Sequence, residues 1–138
     1  MIKTRFFRDQ HDEMLALASS ILFHLHVDAL SKDASKISAL ISELTSQLNV
    51  HLIMEDHTLY PELLEHSDER VRSLARVIVD EMGGLAKAVA VYKKKWSSPL
   101  LIQEQPDEFI KQTTVIIGAI TRRMNRESNE LFGLLDEL

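Results

Sequence analysis

Apolar residues recur along most of the chain at spacings of three and four, the period of a helix with one buried face. In a first segment, from about Phe7 to Leu30, His11, Met14, Leu15, Ala18, Ile21, Leu22 and Leu25 share a face. A second, from about Ala34 to His66, carries Ile37, Leu40, Ile41, Leu44, Leu48, His51, Glu55 and Leu59 at the same period. A third follows Ser67-Asp68 and ends near Trp96, aligning Val71, Leu74, Ile78, Met82, Leu85, Val89, Tyr92 and Trp96. A fourth runs from Pro106 to about Glu137, with Phe109, Ile116, Ile120, Arg123, Glu127 and Leu131 on one side. No segment alternates with period two, so strands are not expected.

Turn and capping residues separate these segments. Ser31-Lys32-Asp33 and Ser67-Asp68 offer N-cap side chains, and Ser97-Ser98-Pro99 breaks the third segment before a loop through Gln105. Pro106-Asp107-Glu108 reads as a first helical turn, with proline at N1 and acids at the positive end of the dipole. Gly83-Gly84 and Pro61 fall inside helical patterns; Pro61 is expected to kink the second helix or to start a separate final turn. Four amphipathic helices of about 24–33 residues, each roughly 35–50 Å long, predict an all-α antiparallel up-down four-helix bundle. One domain over residues 1–138 is expected, because no linker divides the chain.

The apolar stripes are interrupted by ionisable groups. His11 opens the first stripe, His51 and Glu55 lie four apart on the second, and Arg123 and Glu127 lie four apart on the fourth. Side chains at i and i+4 project from one face, so five ionisable groups from three helices should point inward. Unpaired buried charges cost several kcal/mol each by the usual order of magnitude. Two carboxylates facing each other need a proton or a cation between them. Two imidazoles and two carboxylates form a donor set for a divalent transition metal. The same spacing is also compatible with a satisfied core histidine, a His–Glu surface pair and an Arg–Glu salt bridge. His24, His26, His57 and His66 fall off the stripes or at helix ends and are given no ligand role; Tyr60, Tyr92 and Trp96 are expected in the core or at its boundary.

Composition narrows the chemistry. The chain of 138 residues has no cysteine, which excludes disulfides, thiolate metal sites, iron–sulfur clusters and a cysteine nucleophile. A formal net charge of −5 argues against nucleic acid as a partner. The charged start, Met1 to Asp9, lacks an apolar run behind it, and no stretch is long enough to span a membrane, so a cytoplasmic protein is expected. No nucleophile–base pair, phosphate loop or glycine-rich motif is present, and binding is expected over catalysis.

The stretch His51-Leu-Ile-Met-Glu55-Asp-His-Thr-Leu59-Tyr60-Pro61 resembles the second-helix signature of the hemerythrin-like (HHE cation-binding) family. Gln10-His11-Asp12-Glu13 resembles its first-helix motif, and Asn125 to Phe132 its fourth-helix motif, in the family's order over nearly the whole chain. The resemblance implies a four-helix bundle around two irons, with His11, His51, Glu55 and Glu127 at the positions of one iron's ligands and of the bridging carboxylates. The second iron's histidines fall at Met82 and Arg123, and Gly133 replaces a proline. A guanidinium has no acceptor and is not an ordinary ligand, and a thioether suits soft metals.

The expectation is therefore a reduced site. Arg123 places a fixed cation where the second ion would stand, and Met82 fills the remaining volume. One ion is expected rather than two, iron by resemblance, with zinc or manganese also suited to the donor set. A metal ion is the expected partner, with a small diatomic ligand as a further candidate, and the role is binding, storage or sensing. The competing expectation is a metal-free interaction module that keeps the fold.

Overall fold

The computed structural model describes residues 3–138; Met1 and Ile2, which open the charged start, lie outside the described residues. In chain order the helices are α1 (Thr4–Phe23), α2 (Val27–Lys32), α3 (Ser35–Met54), α4 (Tyr60–Leu64), α5 (Glu69–Met82), α6 (Leu85–Lys95), α7 (Pro99–Glu104), α8 (Pro106–Arg126) and α9 (Phe132–Asp136). A five-residue π-helical turn, Glu55–Leu59, joins α3 to α4, and another, Glu127–Leu131, joins α8 to α9. No strand occurs among the described residues.

Four rods result: α1, α3 with α4, α5 with α6, and α8 with α9. Each of α1, α3, α6 and α8 packs on two of the others in a closed ring, the arrangement of a four-helix bundle. Local chemistry sets the ends. Asp68 caps α5 by accepting from the Arg70 N–H at 2.8 Å. Pro106, Asp107 and Glu108 open α8, and Lys93, Lys94 and Lys95 close α6, each sign matched to its end of the dipole. Asp33 accepts from the Ser35 N–H at 2.9 Å at the start of α3.

The segment boundaries differ from the sequence expectation in three places. The first segment stops at Phe23, where His24 Nδ1 bonds the Ser20 carbonyl at 2.7 Å, and the chain restarts as the short α2. The stretch expected as a loop before Pro106 contains α7, started by Pro99 at its first turn. The third segment is broken at Gly83. A side chain there would come within 2.5 Å of the Val79 carbonyl oxygen, so glycine is required for the chain to leave α5 in this way.

The core lies in two parts. A larger apolar cluster runs from Met14 and Ile21 past Leu44, Leu48 and Ile120 to Trp96 and Phe109. A smaller one gathers Leu59, Leu63, Val71, Ile78, Leu131 and Phe132 at the other end. Between them sits a layer of buried ionisable side chains. The stripes account for most of this core. In α8, though, Ile117 and Thr113 are buried and Ile116 is half-buried, while Leu22, near the C-terminus of α1, is exposed.

Candidate metal centre

Both carboxylates of the polar layer begin π-helical turns. In each turn the N–H five residues on bonds back to the glutamate carbonyl: Tyr60 to Glu55, and Phe132 to Glu127. The wider turn adds one residue per rotation, so two consecutive side chains, Leu59-Tyr60 and Leu131-Phe132, are buried together. Pro61 follows the first turn and cannot donate to the helix ladder. Gly133 holds the matching place after the second, so proline is not what makes the turn. What the two rods share is Glu-x-x-x-Leu-aromatic, and single π turns of this kind concentrate at functional sites.

His11 from α1, His51 from α3, Glu55 and Glu127 converge at the bundle centre. Each offers one ligand atom, and the four atoms lie within 4.8 Å of one another. All are buried, with side-chain exposure of 1%, 2%, 0% and 0% respectively. The two imidazole Nε2 atoms stand 3.1 Å apart. Glu55 Oε2 is 3.1 Å from His51 Nε2 and 3.6 Å from His11 Nε2, and Glu127 Oε1 is 3.2 Å from His11 Nε2.

The far side of each imidazole is anchored. His51 Nδ1–H donates to Gln10 Oε1 at 2.6 Å, which leaves the lone pair of Nε2 facing the centre. His11 Nδ1 bonds Ser128 Oγ at 2.8 Å. The Phe132 ring stacks on His11 at 5.5 Å, and Phe7 meets His51 edge-on at 6.0 Å, closing the site from the smaller core.

Arg123 occupies the opposite half. Its Nε donates to Glu127 Oε2 at 3.3 Å, its Nη2 to Glu55 Oε1 at 3.2 Å and to Asp56 Oδ1 at 2.8 Å, and its Nη1 to the Met82 carbonyl at 3.3 Å. That carbonyl belongs to the last residue of α5, at the helix end created by Gly83. The Met82 side chain is half-buried against the smaller core. Tyr60 lies under the guanidinium, 5.5 Å from its ring centroid, and donates its hydroxyl to Glu127 Oε2 at 2.6 Å.

Electrostatics follow from this packing. Burial alone would lower His11, but the Glu127 and Glu55 carboxylates overcome it and hold the imidazole near 9. Burial alone would raise Glu55; the charges of His11 and Arg123 beside it outweigh that and hold it at about 2. Burial and the charge of Glu55 push Glu127 above the usual carboxylate range, against His11, Arg123 and Tyr60. Burial and Glu127 raise Tyr60, which keeps its phenolic proton.

The fit to a metal ion can be judged from the donors. A single proton on His11 Nε2 faces three acceptors, His51 Nε2, Glu127 Oε1 and Glu55 Oε2. It cannot serve them all, and both carboxylate oxygens are buried without a hydrogen-bond partner. One cation at the centre would satisfy all four atoms. Ligand atoms held about 2.1 Å from a common ion stand roughly 3 Å apart at right angles, close to the shorter separations here. The family model for the hemerythrin HHE cation-binding domain matches residues 3–135.

The chain belongs to the hemerythrin HHE cation-binding family. Neither the curated proteins nor the solved structures yield a match. Within a hemerythrin-type bundle, then, the half of the centre facing α1 and α3 holds four side chains that could ligate a metal, and the half facing α5 holds a guanidinium. Of the residues singled out from the sequence, the structure brings His11, His51, Glu55, Glu127 and Arg123 together and places Met82 at the edge through its carbonyl. His24, His26, His57 and His66 stand outside the donor group.

Sequence reasoning missed four contributors: Gln10, Asp56, Tyr60 and Ser128. Gln10, Asp56 and Ser128 are each the chain neighbour of a donor, and that adjacency is a usable signal. Tyr60 was expected only as a core or boundary aromatic, and the extra residue of the π turn rotates its hydroxyl to Glu127. Among the described residues no helix is long and apolar enough to cross a membrane.

Two clefts flank the centre. One of about 370 Å³ opens between α1 and α3, lined by Gln10, Glu13, Gln47, Val50 and His51. The other, about 230 Å³, lies beside Arg123, Asp56 and Tyr60 with Leu64 and Ile78.

Proposed function

We propose that the chain binds one metal ion through His11, His51, Glu55 and Glu127, and that it serves in the binding, storage or sensing of that metal or of a small ligand on it. The observation that supports this best is the pair of buried, unpartnered carboxylate oxygens aimed at two facing imidazole nitrogens. Four protein donors leave a bound ion coordination positions for water or a diatomic molecule, and the ion would supply Lewis acidity there. Iron is the metal expected from the family; two nitrogens and two oxygens also suit zinc and manganese. Arg123 takes the place of a second ion, with Met82 supplying a carbonyl to it. Carriage of dioxygen as peroxide draws electrons from two irons and does not fit this reading.

Elemental analysis of protein purified without chelator tests it. About one ion per chain is expected, and two would overturn the role given to Arg123 and Met82. A second reading, a metal-free interaction module, has its own support: a protonated His11 between two carboxylates, with Arg123 beyond, gives a closed polar core. On that reading iron, zinc and manganese leave the melting temperature unchanged. A bound ion would raise it by RT ln(1 + [L]/Kd).

A further inference from the structure

We infer that the centre is built for a divalent ion and disfavours a trivalent one, and that Gln10, Ser128, Arg123 and Asp56 set this preference. The inference rests on the proposed metal site and adds the charge of the ion it takes. The partners behind the imidazoles are the first ground. Gln10 accepts from His51 Nδ1–H at 2.6 Å and Ser128 bonds His11 Nδ1 at 2.8 Å. A carboxylate in either place would draw the Nδ1 proton toward itself and push electron density through the ring to the metal. A carboxamide and a hydroxyl orient the rings and fix the lone pair without adding negative charge.

The second ground is the balance of formal charge in a water-poor interior. Arg123 bonds both donor carboxylates and is itself matched by Asp56 at 2.8 Å. Asp56, although partly exposed, is bonded directly to the guanidinium and offsets its charge, which leaves the two glutamates opposite the ion. A divalent ion makes the layer neutral; a trivalent ion leaves a surplus positive charge between two apolar clusters, where charge is poorly screened. Glu13 lies in the cleft that reaches His51 but is exposed, so water and salt screen it. An iron ion in this centre is favoured in its ferrous state for the same reason.

The test uses zinc(II) and gallium(III), neither of which changes oxidation state under these conditions. The metal-free full chain is titrated with each in competition with nitrilotriacetate, and the ratio of gallium to zinc affinity is compared among variants. Gln10→Glu adds a charge behind His51 at a half-buried position and should raise the ratio roughly tenfold or more; Arg123→Gln should do the same. Arg123→Lys keeps the charge and should stay near the parent. The inference falls if Gln10→Glu leaves the ratio unchanged, or if Arg123→Lys moves it as far as Arg123→Gln does. Should Arg123→Gln fail to fold, Gln10→Glu decides alone. Failure of the parent chain to bind zinc at all is a different result, one that removes the proposed metal site together with this inference.

Discussion

Arg123→Met keeps most of the side-chain volume while removing the charge and every donor, so it isolates what the guanidinium does. In the metal-free chain the change takes from Glu55 and Glu127, both fully buried, one of their two shared cations and leaves only the protonated His11 between them. Removing one partner of a buried ion pair costs about 3–5 kcal/mol. The loss of the Asp56 contact adds little, because Asp56 is partly exposed. At this chain length 1 kcal/mol is worth about 4 °C, so the variant should melt roughly 12–20 °C below the parent in chelator at neutral pH. The sign of the pH dependence follows from Glu55. Its folded-state pKa of about 2 lies below its ordinary 4.5, so the stability it contributes is present above 4.5 and lost as pH falls through 2. Without Arg123 that depression shrinks, and the deficit of the variant should narrow on the way from pH 5 to pH 2. Saturating zinc restores a cation to the carboxylates and should raise the variant's melting temperature by more than the parent's. Thermal circular dichroism with and without zinc reads all three effects. A metal-free loss below about 4 °C, or equal zinc gains in the two proteins, would refute the assignment of Arg123 as the counter-charge.

Three further outcomes follow from the same geometry. His11 is held near 9 against an ordinary 6.5, so its contribution is fully present below 6.5 and disappears as pH rises through 9. The metal-free chain should lose stability over that interval and His11→Gln should not, while zinc affinity of the parent rises as the competing proton leaves; a flat parent profile contradicts the proton's placement. Tyr60→Phe deletes the 2.6 Å bond to Glu127 and should cost about 1–3 kcal/mol in thermal unfolding while leaving the metal count at one per chain; a changed stoichiometry would mean Tyr60 does more than hold the carboxylate. The pair Met82→His and Arg123→His puts imidazoles at both positions where the family pattern has them. Elemental analysis of that double variant should give about two ions per chain, and a value that stays at one would show that these two side chains are not what limits the count.

Period and chain order are local properties, and they carried far. Spacings of three and four placed His11, His51, Glu55, Arg123 and Glu127 on inward faces, and the family's motifs in their order over nearly the whole chain pointed to the hemerythrin bundle. Pro106 and Asp68 marked helix starts because capping acts within a few residues. Other features escaped because their causes lie across the fold. The π turns at Glu55 and Glu127 break the period on which the stripe was read, and their poorer backbone geometry is offset by burying Leu59 with Tyr60 and Leu131 with Phe132. Met82, expected to contribute only its side chain, also meets Arg123 through the backbone carbonyl that ends α5. Gln10 and Ser128 acquire roles only once α1, α3 and the second π turn meet. Amphipathic spacing dictates which residues face inward, since each helix must bury its own stripe. Which inward groups touch, which share a proton and which are left without a partner depends on the packing of separate rods, where distances of 3.1 Å between residues forty positions apart are settled.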